Sequence, residues 1–282
     1  MEMVKMFYLK NIRNSANSPM RWMRRWKSSS GKRKTAGVIV IGNEILKAQV
    51  KDTNSHFICK HLYRCGVNVQ KISVISDDID EIAQEIKEFS EKYTHVITSG
   101  GIGPTHDDVT YEGLAKAFDD TICRHPTLAG VIKNYFGVKD PNSPAYKLAE
   151  IPTKAILKFG INKDTSLPLH FPCVILENVY VFPGSPIFLE KGFGSLYKVL
   201  FDTGNHFAHQ ELYIDATESK FADALTTVSK EYPGVVFGSY PEGSEDYQAR
   251  ITIESDSEEE TKRATERFCS LISPHIVVRR KK

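Results

Sequence analysis

Beyond residue 35 the apolar positions alternate between short unbroken runs and stretches of helical spacing. Residues 36–41 (AGVIVI) form an unbroken run, as in a strand covered on both faces. Residues 52–65 then place Phe57, Ile58, His61, Leu62 and Cys65 at helical spacing before a stop at Gly66, with Asp52 or Thr53 as N-cap. A second strand is predicted over 67–76. Residues 77–93 predict an amphipathic helix, with Ile79, Ile82, Ile86 and Phe89 in phase and Asp77 and Asp78 at its positive end. A third strand follows at 94–98 and another helix at 110–118. Residues 120–170 are less legible, with helices predicted near 127–136 and 143–150. Strands at 173–175 and 179–182 then flank a turn at Glu177-Asn178, and a helix runs on toward Leu200.

This alternation predicts an α/β fold built on a parallel sheet. Its crossovers are right-handed, so ligands are expected outside the carboxyl ends of the strands. Residues 202–206 read as a linker. Beyond them the order is strand (211–214), helix (219–232), strand (235–239), strand (247–254), helix (258–271), strand (276–278), a split βαβ pattern. The organisation expected is a basic presequence or tail at 1–34, an α/β domain at 35–204 and a small α+β domain at 205–282. Glu258, Glu259 and Glu260 suit the positive end of the last helix, and residues 279–282 read as a solvated tail.

Composition narrows the class. With 41% apolar and 26% charged residues in 282, the chain is neither disordered throughout, nor collagen, nor a small disulfide scaffold. No uncharged apolar run approaches the roughly 18 residues that a membrane span requires. The net charge of +2 is unevenly spread: residues 1–35 carry ten Lys and Arg against Glu2 alone, leaving 27 basic and 34 acidic side chains in the rest. That acidic body excludes a global attraction to nucleic acid. The head is rich in Arg, Lys, Ser and Asn and matches a mitochondrial transit peptide, with a cytoplasmic protein bearing a basic tail as the alternative. Five cysteines, an odd number without C-x-x-C spacing, predict free thiols in a reducing compartment.

The densest candidate chemistry is residues 98–110, TSGGIGPTHDDVT, between a predicted strand and a predicted helix. Gly100, Gly101 and Gly103 permit backbone conformations closed to other residues, so main-chain N–H groups from Ser99 to Thr105 are positioned to converge on a phosphate. Asp107 and Asp108 follow directly. Paired carboxylates beside a phosphate site suit a hard divalent cation. Neither a Walker A loop nor a dinucleotide fingerprint is present, since no G-K-[ST] occurs and His106 takes the third glycine's place. His106 is a candidate acid, base or phosphate donor. A second strand-end loop, residues 42–47, offers Glu44 to a metal or water and Lys47 to a phosphate oxygen. Asp52, Thr53 and Asn54 beyond it either face the same crevice or cap the helix, and the cap is the favoured role. A third loop, residues 182–186, presents the amides of Gly184 and Ser185 after Pro183 ends the strand.

Together these loops resemble the MoaB/MogA/CinA superfamily of molybdopterin-binding-like domains. The run TSGGIGPTHDDVT, with GNEIL (42–46), DTN (52–54) and GSYP (238–241), is most similar to the N-terminal domain of animal FAD synthases and to fungal and CinA-type relatives. The resemblance covers roughly residues 35–280. It implies a MoaB/Mog-like three-layer parallel-sheet domain followed by the small α+β domain. It also implies a divalent metal (Mg, Mn or Co) held by the aspartate matching Asp108, with Asp107 and Glu44 matching further acids, and no prosthetic group. Asn43 stands where many relatives have Asp, and Ile187 where they commonly carry Glu. No counterpart of the adenylyltransferase domain is recognised before the sequence ends at Lys282, so making FAD is not expected of this polypeptide.

The activity implied is metal-dependent hydrolysis of a dinucleotide diphosphate, FAD to FMN and AMP. Ser99, Gly100, Gly101, Gly103, Thr105, Lys47, Gly184 and Ser185 would hold the phosphates, and Glu44 or His106 would orient water. The alternatives are a non-catalytic flavin- or nucleotide-binding module and molybdopterin adenylyl transfer. The partners implied are a small-molecule dinucleotide or flavin, a separate FAD synthase and further copies of the chain.

Overall fold

In the computed structural model, which describes residues 33–281 apart from residue 163, the run at 36–41 becomes the heart of β1 (Lys34–Ile41). A single helical turn, α1 (Asn43–Leu46), occupies what reads in sequence as a loop. Then come α2 (Asn54–Arg64), β2 (Val67–Ile75), α3 (Ile79–Lys92), β3 (His95–Ser99) and α4 (Thr110–Ala117). The stretch that is hard to read in sequence holds β4 (Ile122–Arg124), α5 (Pro126–Tyr135), a 3-10 turn at Pro144–Ala149, β5 (Glu150–Pro152) and β6 (Ile156–Lys158). β7 (Cys173–Leu176), β8 (Val179–Phe182) and α6 (Pro186–Phe201) complete this part. The predicted transit peptide and the import it implies lie outside the described residues.

The large sheet has the order β2-β1-β3-β8-β7-β6. β1, β2, β3 and β8 are parallel, and β7 and β6 are added antiparallel through the hairpin at Glu177, whose φ is +51°. Strand residues alternate between two cores, as a period of two requires. Ile39, Ile41, Val96, Val179 and Val181 face α3, α4 and α5, packing with Ile82, Ile86, Phe89, Leu114 and Ile132. Val38, Val40, Ile97, Tyr180 and Phe182 face α2 and α6, packing with Ile58, Leu62, Leu189 and Phe193. This is the expected three-layer α/β arrangement. Each such fully buried side chain contributes about 1.5–3 kcal/mol.

After residue 207 the chain forms β9 (Ala208–Ile214), α7 (Ala222–Glu231), β10 (Val236–Pro241), β11 (Ala249–Ser255), α8 (Glu258–Leu271) and β12 (Val277–Lys281). The sheet order is β10-β11-β9-β12, antiparallel throughout, as the split βαβ pattern dictates. β11 alternates strictly, with Ala249, Ile251 and Ile253 inward on Val228, Ala264 and Phe268. One reading is corrected here. Residues 279–281 are not a solvated tail but part of an edge strand paired with β9, and the Arg279 guanidinium stacks on the Tyr213 ring at 4.0 Å. The run looks like a tail because Arg279 and Arg280 are both charged and exposed on a sheet edge, Arg279 opposite Tyr213 and Arg280 opposite Leu212. All five cysteines are free.

Candidate functional site

The large sheet reverses direction of winding at β1, with β2 on one side and β3 on the other. At such a switch point the loops leaving adjacent strands part and open a crevice. The loops after β1, β3 and β8 meet there. An ideal Cβ on Gly100 would lie 2.0 Å from the Ile41 carbonyl oxygen at the end of β1, and one on Gly184 would lie 3.2 Å from the Gly100 Cα. At Gly100 only glycine allows this approach, and at Gly184 a side chain would have to push its neighbour back by a few tenths of an ångström.

Gly100 and Gly101 have φ of +112° and +62°, which turns the chain out of β3 and back toward α4. The turn is fastened from below. The Gly100 N–H donates to the Phe182 carbonyl (3.2 Å), the Thr110 hydroxyl to the Gly100 carbonyl (2.9 Å), and the Thr110 N–H to the Gly101 carbonyl (2.9 Å). Thr110 is fully buried. By contrast, the N–H groups of Gly101, Ile102, Gly103, Gly184 and Ser185 have no hydrogen-bond acceptor among the described residues. Unpaired amides in the glycine turn after β3 and in the residues that lead into α6 are an anion site in waiting.

The carboxylates gather beside this turn. The Thr105 N–H donates to Asp108 Oδ2 (2.9 Å), and the Thr105 hydroxyl lies between the Asp107 and Asp108 carboxylates. One hydroxyl proton serves only one of them at a time. Asp107 is exposed; the Thr105 hydroxyl, with smaller contributions from His106 and Lys147, holds its carboxyl below the usual range. Lys147, from the 3-10 turn, donates to the Thr105 carbonyl (2.6 Å). Asp77, just past β2, accepts the Asn43 N–H (2.8 Å). Burial first, then the negative charges of Glu44, Asp107 and Asp108, raise its pKa. Four carboxylates therefore share one field.

Among the described residues no three His, Cys, Asp or Glu side chains form a ready metal cage. That still fits a magnesium-like ion, which takes one or two carboxylates and completes its shell with ligand phosphate and water. The donors at hand, Asp107 and Asp108, are hard oxygens within reach of one hydroxyl.

Comparison with known proteins places this arrangement. Residues 37–202 match the model for a probable molybdopterin binding domain, more than half of the chain, and residues 206–281 match that for an FAD synthase middle domain. The chain belongs to the molybdopterin-binding-domain family. This molybdopterin-binding-type protein is 38% identical over 265 residues to a probable FAD synthase of Caenorhabditis elegans, covering 87% of this chain and 51% of the relative. It thus spans about half the length of such curated relatives. A protein of Thermoplasma acidophilum is 32% identical over 78% of this chain and 86% of its own length. The crystal structure of the protein CinA with unknown function, from the same organism, aligns with a TM-score of 0.53 at 31% identity, covering 60% of this chain and 98% of that one.

At this candidate site the structure brings together Ser99, Gly100, Gly101, Gly103, Thr105, Asp107, Asp108 and Gly184. Glu44 folds back over Gly42 and adds to the field on Asp77. His106 is exposed on the loop. Lys47 is exposed on the turn after α1 and makes no ion pair among the described residues. Ser185 starts α6 without capping it through its side chain. Asp78 caps α3, accepting from the Asp80 and Glu81 N–H groups at 2.9 Å, while Asp77, expected with it at the positive end of that helix, turns back to the loop after β1. Of the two roles open to Asn54, cap or crevice, it takes the crevice. Asp52 takes the cap's place through the Ser55 N–H (3.0 Å), and Asn54 reaches Ser99 and Gly184. The position of Asp77 directly after a strand was the available signal; nothing local marks Lys147, which lies 42 residues from its partner.

Proposed function

We propose that this protein is a metal-dependent diphosphatase of flavin metabolism, splitting FAD into FMN and AMP. The observation that carries this reading is the set of unpaired amides at the switch point with the Asp107–Asp108 carboxylates alongside. The names of the relatives, probable FAD synthases, point to flavin nucleotides as the first ligands to test.

The amides of Gly101, Ile102 and Gly103, opposite those of Gly184 and Ser185, would hold the diphosphate oxygens and stabilise the charge that develops on them. Asp107 and Asp108 would hold a magnesium, manganese or cobalt ion. When bound, that ion would polarise the phosphoryl group and acidify the attacking water. Lys147 steadies the Thr105 carbonyl and lends positive charge near Asp107. Asp77, whose raised pKa makes it a better proton acceptor than an ordinary aspartate, would, together with Glu44 and His106, orient water and take its proton. Homo-oligomers and a separate FAD synthase remain the partners this reading expects.

A second reading, a flavin- or nucleotide-binding module without turnover, draws on Asn43, which contributes no carboxylate to the cluster, and on the absence of a ready three-ligand cage among the described residues. Incubation of the full chain with FAD and each metal, followed by chromatography, separates the two. FMN and AMP should appear with the wild type and be lost in Asp108→Asn, which keeps an acceptor for the Thr105 N–H. Fully active Asp108→Asn protein refutes the assignment; tight FAD binding with no product under any metal favours the module.

A further inference from the structure

Asn54 lies at the first position of α2, with only 7% of its surface exposed. Its Nδ2 donates to two acceptors that are distant in sequence: Ser99 Oγ at 2.9 Å and the Gly184 carbonyl at 2.7 Å. The Ser99 hydroxyl passes its own proton to the Pro183 carbonyl at 3.3 Å. Because a carbonyl only accepts, the amide must face Gly184 with its nitrogen. Both amide hydrogens are thus spent, and Oδ1 is left buried without a partner. Position 54 therefore calls for a forked donor. Aspartate would turn a lone pair on the Gly184 carbonyl and draw the Ser99 proton away from Pro183, and an apolar side chain would donate to neither neighbour.

The fork sits where ordinary sheet pairing runs out. The β3–β8 ladder ends at Ser99 opposite Phe182, and beyond it the Gly100 N–H reaching the Phe182 carbonyl is the last main-chain link between the two loops among the described residues. Past that bond lie the unpaired amides of Gly101, Ile102 and Gly103 on one loop and of Gly184 and Ser185 on the other. We propose that Asn54 is a positioning residue for anion binding: by donating at once to Ser99 and Gly184 it fixes the gap between the two loops whose free amides receive the phosphates. This rests on reading the switch point as a phosphate cradle, though not on hydrolysis.

The test is calorimetric titration of the full chain with ADP and magnesium, for wild type, Asn54→Ala, Asn54→Asp, Ser99→Ala and the Asn54→Ala/Ser99→Ala double variant, with a thermal melt of each. Asn54→Ala should weaken ADP at least about tenfold, and Ser99→Ala should weaken it in the wild type but add less than about twofold once Asn54 is gone, because the fork is then already lost. A general loss of fold would instead lower the melt and reduce the fraction of binding-competent protein. Affinity for ADP within about twofold of wild type in a folded Asn54→Ala protein overturns the proposal. So does a Ser99→Ala effect that is equal in both backgrounds. If Asn54→Ala fails to fold, the isosteric Asn54→Asp decides by the same affinity criterion. A wild type that binds ADP and cleaves no dinucleotide refutes the diphosphatase and leaves this inference standing; a wild type that does not bind ADP overturns both.

Discussion

Replacing Gly101 by alanine isolates the backbone geometry of the cradle from its acidic chemistry. With φ at +62°, alanine at this position costs about 1–2 kcal/mol in a left-handed conformation. The new Cβ would stand 2.3 Å from Thr110 Oγ1, the hydroxyl that satisfies the Gly100 carbonyl. Displacing that hydroxyl leaves a buried carbonyl unpaired, worth about 1–3 kcal/mol. The sum, roughly 2–5 kcal/mol, corresponds to about 5–20 °C in Tm for a chain of this size. The severe clash is with the Thr110 hydroxyl and is therefore removable; the Ile41 Cγ2, at 3.3 Å, has to give by only a few tenths of an ångström. In a Thr110→Ala background the Gly101→Ala change should cost only the conformational part, about 1–2 kcal/mol. Urea denaturation of the two single variants, the double variant and the wild type gives the coupling directly. Equal costs of Gly101→Ala with and without Thr110 would refute the reasoning, as would a Gly101→Ala protein as stable as wild type.

Two further expectations concern pH. Burial, reinforced by Lys34, lowers the His95 pKa to about 4, against about 6.5 when unfolded, so the unfolded chain takes up a proton first as pH falls. Stability present above pH 6.5 is then lost progressively toward pH 4, by about 3 kcal/mol, and urea midpoints of His95→Phe should fall less steeply over that window; an unchanged slope counts against the assignment. Asp77 has the opposite sign: its raised pKa means that its ionised form opposes folding, so the stability it gives when protonated is lost as pH rises through the folded value. Asp77→Asn, which keeps an acceptor for the Asn43 N–H, should melt higher than wild type at pH 7, with the advantage shrinking toward pH 4; a lower melt at pH 7 contradicts a repulsive cluster.

The strands that lie between two layers announce themselves, because burial on both faces admits no polar interruption: AGVIVI and VYVF are read directly as β1 and β8. The three-residue strands β4, β5 and β6 do not, since three residues carry no period. Residues 279–281 mislead for a related reason, a short charged edge strand being indistinguishable in sequence from a charged tail.

The candidate site divides along the same line. Gly100, Gly101, Gly103, Asp107 and Asp108 stand within nine residues of one another, so local sequence alone determined that a strand-to-helix turn would combine free amides with carboxylates. Which other groups join them was decided by the fold. Asp77 and Asn54 each have an equally good local role as a helix cap, and sequence favours that role because a cap needs only a neighbour two or three residues away. The structure gives the caps to Asp78 and Asp52 and sends Asp77 to Asn43 and Asn54 to Ser99 and Gly184, 34, 45 and 130 residues away. Those partners are adjacent only because parallel pairing stacks the carboxyl ends of β1, β2, β3 and β8 in one row, a proximity written in sheet order and in no single stretch of chain.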